Sequence, residues 1–227
     1  MQKPQKNFKI AIDGRAGTGK STLAKALASR LDILHIDSGA MYRAVAYYFI
    51  TNNIDITKEN IEKNIDNINI ELNYIDGINI VLLNGENITP FIRNNEISKG
   101  ASKVAVFEIV REKLTQLQRQ YATYNSLVMD GRDIGTAVFK DSEVKLFLTT
   151  DITQRAKRRQ KDLQKQNEFL TIKEIEEDLK NRDNTDINRD VSPLIKAEDA
   201  IEIDTSSSNI EELVEKVIDI LIDRGII

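Results

Sequence analysis

The stretch DGRAGTGKST, residues 13–22, sits between the apolar run FKIAI and the helix-like segment LAKALASRL. That order of strand, glycine-rich loop and helix restricts the chain to folds whose sheet delivers a loop onto a helix start. Gly14, Gly19, Lys20 and Ser21 match G-x-x-x-x-G-K-[ST] in the context that pattern requires. Glycine lets backbone N–H groups converge on phosphate oxygens at the helix N-terminus, where the dipole also favours negative charge. Lys20 can reach the β- and γ-phosphates of a bound nucleotide, and Ser21 can offer its hydroxyl to Mg²⁺. Switches, motors and kinases all use such a loop. The Asn-Lys-x-Asp pattern expected of a guanine-nucleotide switch does not occur in this sequence.

Five short apolar, β-rich segments at 8–12, 33–36, 127–130, 144–148 and 200–203 are each associated with a helix-like stretch. Runs that are apolar on both faces suit strands buried between helix layers, so the expected fold is α/β with a parallel sheet. Helical periodicity marks 20–31, 40–50, 95–123, 151–166, 171–182 and 209–223, and SSSNIEEL supplies a cap signal for the last. The alternation breaks once. INIELNYIDGINIVLLNGENIT (68–89) carries strand-like runs punctuated by Asp76-Gly77 and Asn84-Gly85, which favour hairpin turns. A small antiparallel insert at about 60–95 is expected there.

At 227 residues the chain has room for one main core with small excursions. A formal net charge of −4 argues against a general nucleic-acid or membrane binder, because those carry a basic excess. Cysteine is absent, which removes disulfides, thiolate metal sites and thiol nucleophiles and fits a reducing compartment. No apolar run approaches the roughly 18 residues that span a bilayer, and MQKPQKN is followed by too short an apolar run for a signal peptide. A soluble cytoplasmic protein is expected. The one histidine, His35, lies in a strand pattern and reads as a packed residue rather than a base.

Arginines gather around the expected strand ends. DSGAMYR (37–43) places Ser38 and Arg43 after the second strand, and DGRDIG (130–135) places Asp130, Arg132 and Asp133 after the third. The carboxyl ends of strands are where α/β sheets bind ligands. Arginine clamps suit a transferred phosphoryl group and an acceptor phosphate. QRAKRRQ (154–160) sets Arg155, Arg158 and Arg159 on one helix face, either as charge closing over the site or as a solvated basic face. NRDNTDINRD (181–190) adds Arg182, Asp186 and Arg189, which alone would read as a surface ion-pair run.

Together, GRAGTGKST, DSGAMYRAVA, DGRDIGTAVF, RAKRRQ and RDNTDINRDVSPL, in this order over about residues 8–225, resemble the bacterial cytidylate kinase family. The resemblance implies a P-loop nucleoside monophosphate kinase fold: a five-stranded parallel sheet flanked by helices, a small antiparallel β insert and a helical lid. Its core would span 8–59, 96–150 and 191–227, with the monophosphate-binding insert at about 60–95 and the lid at about 151–190. It implies ATP-dependent phosphorylation of CMP and dCMP with Mg²⁺ as the metal. Gly14, Arg15, Ala16, Gly17, Thr18, Gly19, Lys20, Ser21 and Thr22 would bind ATP, with Arg155 and Arg159 of the lid. Ser38, Arg43, Arg132 and Arg189 would hold the acceptor phosphate, Ser102, Arg111 and Asp133 the cytosine, and Arg182 and Asp186 the sugar. Lys20, Arg132, Arg158 and Arg189 would carry catalysis, Ser21 would bind the metal directly and Asp130 through water. The expected partners are these small molecules alone, with no nucleic acid or membrane, and the expected state is a monomer.

Two departures stand out. Arg15 occupies a loop position where the family commonly has proline, and Phe107-Glu108 replaces the usual Phe-Pro. Two rival readings remain open on the residues alone: a kinase for another small acceptor such as UMP, AMP or shikimate, and a nucleotide-dependent ATPase or binding module whose arginines serve a macromolecule.

Overall fold

The computed structural model describes residues 7–75, 78–165, 167–207 and 209–227. Five strands, β1 (Lys9–Gly14), β2 (Leu34–Asp37), β6 (Leu127–Gly131), β7 (Val144–Thr149) and β8 (Ile201–Asp204), form one sheet in the order β2-β6-β1-β7-β8, parallel throughout. β1 shows why both faces had to be apolar. Ile10 and Ile12 point into one core with Leu23, Leu27 and Val217, while Ala11 points into another with Ile36, Met129 and Ile134. Each fully buried isoleucine contributes about 1.5–3 kcal/mol by leaving water.

Helices α1 (Lys20–Leu31) and α8 (Ile210–Asp223) cover the first face. On the other side, α2 (Ser38–Thr51), α4 (Asn95–Val104) and α5 (Glu108–Tyr121) share a large core centred on Phe49 with the small sheet. That sheet comprises β3 (Ile70–Ile75), β4 (Ile78–Leu83) and β5 (Glu86–Asn87), antiparallel in that order. Asn84 and Gly85 both have positive φ (51° and 84°), the conformation an Asn-Gly hairpin turn requires. The Asp76-Gly77 turn lies outside the described residues.

The structure departs from the sequence periodicity at three places. The continuous helix expected over 95–123 is interrupted: α4 ends at Val104, and Phe107 takes an extended conformation before α5. Glu108 stands at the first position of α5, the place where proline is favoured. Ile97, Ala101 and Val104 before the break and Val110 and Leu114 after it pack into the same core, and the apolar run Val104–Phe107 between them masks the slip in spacing. A short helix, α3 (Lys58–Asn64), has one buried residue, Ile61, and offers no periodic signal. Finally, α7 (Ile172–Asn188) runs beyond 182 from a Thr171/Glu174 capping box, and the extra turns bury Asp183 and Asp186. Helix α6 (Ile152–Gln164) packs against α7 through Ala156, Leu163, Ile175 and Leu179.

Candidate active site

A cleft of about 1220 Å³ opens at the carboxyl ends of the parallel strands, where β1 turns into the glycine-rich loop. Gly14 has φ 145°, and a Cβ there would collide with the Leu148 carbonyl of the neighbouring strand. Gly19 opens α1 at φ 88°, a left-handed conformation that favours glycine. Among the described residues no side chain caps this helix start, so its first-turn N–H groups face the cleft without a side-chain acceptor. Lys20 is buried and donates to the Arg15 carbonyl at 2.6 Å. Burial, reinforced by Arg132 and Arg182, holds its pKa well below that of an ordinary lysine.

Beside the loop, Ser21 Oγ donates to Asp130 Oδ2 at 2.6 Å. Asp130, the last residue but one of β6, is in register with Ile12 of β1 and Asp37 of β2. Its other oxygen lies 2.8 Å from His35 Nε2, and its carbonyl accepts from Ser38 at 2.7 Å. Among the described residues no group of three acidic, histidine or cysteine side chains could alone hold a metal. One hydroxyl and one carboxylate suit Mg²⁺, which keeps several waters and takes further oxygens from phosphates.

The far end of the cleft is a net of ion pairs. Arg111 pairs with Asp133, and Arg189 Nη2 lies 3.5 Å from the other Asp133 oxygen. Arg132 Nε donates to Asp186 at 2.7 Å, Arg189 Nη1 lies 3.6 Å from the same carboxylate, and Arg43 pairs with Asp37 at 2.7 Å. Burial would raise the pKa of Asp186, but Arg132 and Arg182 outweigh it and hold the carboxylate ionised. Arg182 makes no ion pair within 4.0 Å among the described residues, and its buried Nε has no partner. Burial, then Arg132, brings its pKa down to about 10. A desolvated cation with no carboxylate in direct contact, Asp186 acting on it only at longer range, is a place where an anion binds favourably. Ser102 lines the same cleft from α4.

All but three of the expected residues line this cleft; Gly14, Arg15 and Arg155 do not. Arg155 lies behind the loop, 2% exposed, donating to the Ala16 carbonyl at 3.2 Å and pairing with Asp183 at 2.7 Å. Arg158 lies over Gly19 and donates to the Thr205 carbonyl at 2.5 Å, while Arg159 reaches Asn95 at 3.4 Å. Arg15 is half exposed, 4.0 Å from Asp183.

Other residues at the site were not read from the sequence as functional, Tyr42 reading as core or lid packing. Arg93 lines the cleft, and Tyr42 lies 5.5 Å beneath the Arg111 guanidinium. Asp13 accepts from the Ile134 and Gly135 amides at 2.8 and 2.7 Å, holding the π-helical turn Ile134–Val138 that follows Asp133. Burial pushes the Asp13 pKa up to about 6 despite those two donors. Asp37 stands inside the DSGAMYR motif and was legible there; Asp13 and Asp183 announce themselves only once their partners from distant segments are beside them.

The family model described as Cytidylate kinase matches residues 10–223. The chain belongs to the cytidylate kinase family. It is 47% identical to a cytidylate kinase of Alkaliphilus oremlandii over 213 residues, covering 93% of this chain and 96% of that protein. A Lactobacillus johnsonii cytidylate kinase is 43% identical, with 97% of each chain covered. The Prochlorococcus marinus relative, a bifunctional pantoate ligase/cytidylate kinase, is 44% identical over 97% of this chain but only 43% of its own length. Among solved structures, an uncharacterized protein from Eubacterium ventriosum shares the fold with a TM-score of 0.51 at 14% identity, covering 95% of this chain and 98% of that one. Membership of the cytidylate kinase family makes the chain a phosphotransferase and accounts for a phosphate loop and an arginine-lined pocket in one cleft.

Proposed function

We propose that this kinase transfers the γ-phosphoryl group of ATP to CMP and dCMP, giving ADP with CDP or dCDP. The observation that carries this reading is the Arg111–Asp133 pair, set with Ser102 in the same cleft as the phosphate loop. Cytosine presents an amine donor beside two acceptors, which a carboxylate and a guanidinium match in opposite senses. Uracil reverses the donor at that edge and would set a carbonyl against Asp133. An unmatched buried polar group costs about 1–3 kcal/mol, a preference rather than an absolute bar.

In this reading the loop amides from Gly14 to Thr22 bind the ATP phosphates, with Arg158 and Arg159 above them and Arg155 holding the loop from behind. Ser38, Arg43, Arg132 and Arg189 take the acceptor phosphate, and Arg182 with Asp186 meets the sugar. Transfer is in line and needs no covalent intermediate, so catalysis is positioning and charge stabilisation by Lys20, Arg132, Arg158 and Arg189. The donor chemistry of Ser21 and Asp130 fits Mg²⁺, which when bound with ATP neutralises charge on the β- and γ-phosphates. Asp130 holds the water shell of the metal rather than acting as a base, because an acceptor phosphate already presents an ionised oxygen.

The core is assigned to 8–59, 96–150 and 191–227, the monophosphate-binding insert to about 60–95 and the lid to about 151–190. The protein is taken as a cytoplasmic monomer acting on small molecules, not on nucleic acid or membranes. Among the described residues no helix is long and apolar enough to cross a membrane. The test is incubation with Mg·ATP and CMP, with products separated by chromatography. Stoichiometric ADP and CDP are expected; ADP formed at the same rate without CMP would refute the assignment.

A further inference from the structure

His35, the one histidine of the sequence, takes no part in the contacts proposed above. It is nevertheless 1% exposed, with both ring nitrogens engaged. Nε2 lies 2.8 Å from Asp130 Oδ1, and Nδ1 lies 2.9 Å from Asn79 Nδ2 on β4 of the small sheet. The second Asp130 oxygen accepts from the Ser21 hydroxyl at 2.6 Å. A continuous chain of hydrogen bonds therefore runs from the insert, through β2 and β6, to the first turn of α1.

Chemistry sets the direction of each bond. An ionised carboxylate only accepts, so His35 Nε2 carries a hydrogen and donates to Asp130. The Asn79 amide nitrogen only donates, so Nδ1 must be the bare, accepting nitrogen. The ring is thus the Nε2–H tautomer, and Asn79 selects it. With both Asp130 oxygens engaged, the carboxylate has one orientation. Ser21 gives its single hydrogen to that carboxylate, which leaves its oxygen lone pairs free for a cation. An apolar side chain would fill the His35 space without a buried polar ring to satisfy, so packing alone does not account for this residue.

We propose that His35 is a positioning residue for the metal side of the phosphate-transfer site: clamped by Asn79, it fixes Asp130 so that Ser21 presents its oxygen to Mg²⁺. This rests on the magnesium reading given under the proposed function. The insert thereby becomes part of the support of the metal site as well as a wall of the acceptor site.

The test is calorimetric binding of ADP in Mg²⁺ and in EDTA, together with the KM for CMP. His35→Leu is expected to reduce the magnesium-dependent gain in ADP affinity about tenfold, the usual scale for losing a residue that orients a metal ligand. Affinity in EDTA and the KM for CMP should stay within about twofold. His35→Gln, whose amide nitrogen can replace the Nε2 donor, should recover most of the gain, and Asn79→Leu should lose about threefold. If His35→Leu fails to fold by circular dichroism, Asn79→Leu and His35→Gln carry the test through the same ratio. Equal losses with and without metal, or an undiminished gain in Asn79→Leu, overturn the proposal. A wild-type protein that gains nothing from magnesium overturns the magnesium reading and this one with it; a wild-type gain that His35→Leu retains overturns this one alone.

Discussion

The two ends of the cleft are built from different materials. At the loop end the backbone faces the ligand: glycines with positive φ, uncapped first-turn amides and one buried cation, Lys20. At the far end side chains do so: Arg43, Arg111, Arg132 and Arg189 are already paired with Asp37, Asp133 and Asp186, and Arg182 has no carboxylate within 4.0 Å among the described residues. A polyphosphate is the same in every nucleotide, so fixed amides suffice to bind it. An acceptor must be told from its relatives, and that takes opposed charges whose mismatch is costly.

Lys20→Ala would break the comparison at its simpler end. With the one buried loop cation gone, kcat should fall about a thousandfold in an ADP-release assay, the upper scale for losing one group that stabilises transition-state charge. A value within tenfold of wild type would mean that the amides alone carry the loop. Arg155→Met addresses what joins the two ends, since this arginine ties the Ala16 carbonyl of the loop to Asp183 of α7. Removing it strands a buried carboxylate, and denaturant unfolding should show a loss of about 3–5 kcal/mol. A loss below about 1 kcal/mol would show that α6 and α7 seat on the loop without it.

Asp13→Asn sharpens the comparison more gently, at the strand end where the loop begins. The native carboxyl keeps its proton up to about pH 6, against the ordinary aspartate value of 3.8, so the folded state binds more protons across that interval. Stability from this group is therefore complete below about pH 4 and falls as pH rises to about 6. Subtracting the Asp13→Asn curve should leave a decline of at most roughly 3 kcal/mol over that range and a flat difference above it. A difference that rises with pH would reverse the assignment.

The same contrast explains what could be read from sequence. The loop end is contiguous, from Gly14 to Thr22, and its strand and helix flanks carry their own apolar signals. All five parallel strands were legible because each is a short apolar run; four are largely buried, and the edge strand β8 keeps its signal although only Ile203 is buried. The far end is assembled from α2, α5, α7 and the loop after β6, so single motifs there read equally well as surface ion pairs until the resemblance joined them. Three features stayed hidden. The break at 105–107 lies under the apolar run Val104–Phe107, which reads as continuous helix, yet it lets Arg111 donate to the Ala105 carbonyl at 3.1 Å near the start of α5. Arg155 looks like one more basic residue in RAKRRQ, and only the packing of α6 on α7 turns it inward to Asp183. His35 reads as core, which it is, but its polar partners come from strands widely separated in the chain.

The central claim is that Asp133 and Arg111 read the base while the phosphate loop is indifferent to it. The most direct measurement is kcat/KM for CMP and for UMP with saturating Mg·ATP, in the wild type and in Asp133→Ala. The account predicts that wild type prefers CMP and that Asp133→Ala loses most of this preference, with the KM for ATP changed less than threefold. A CMP:UMP ratio that survives the substitution would contradict it.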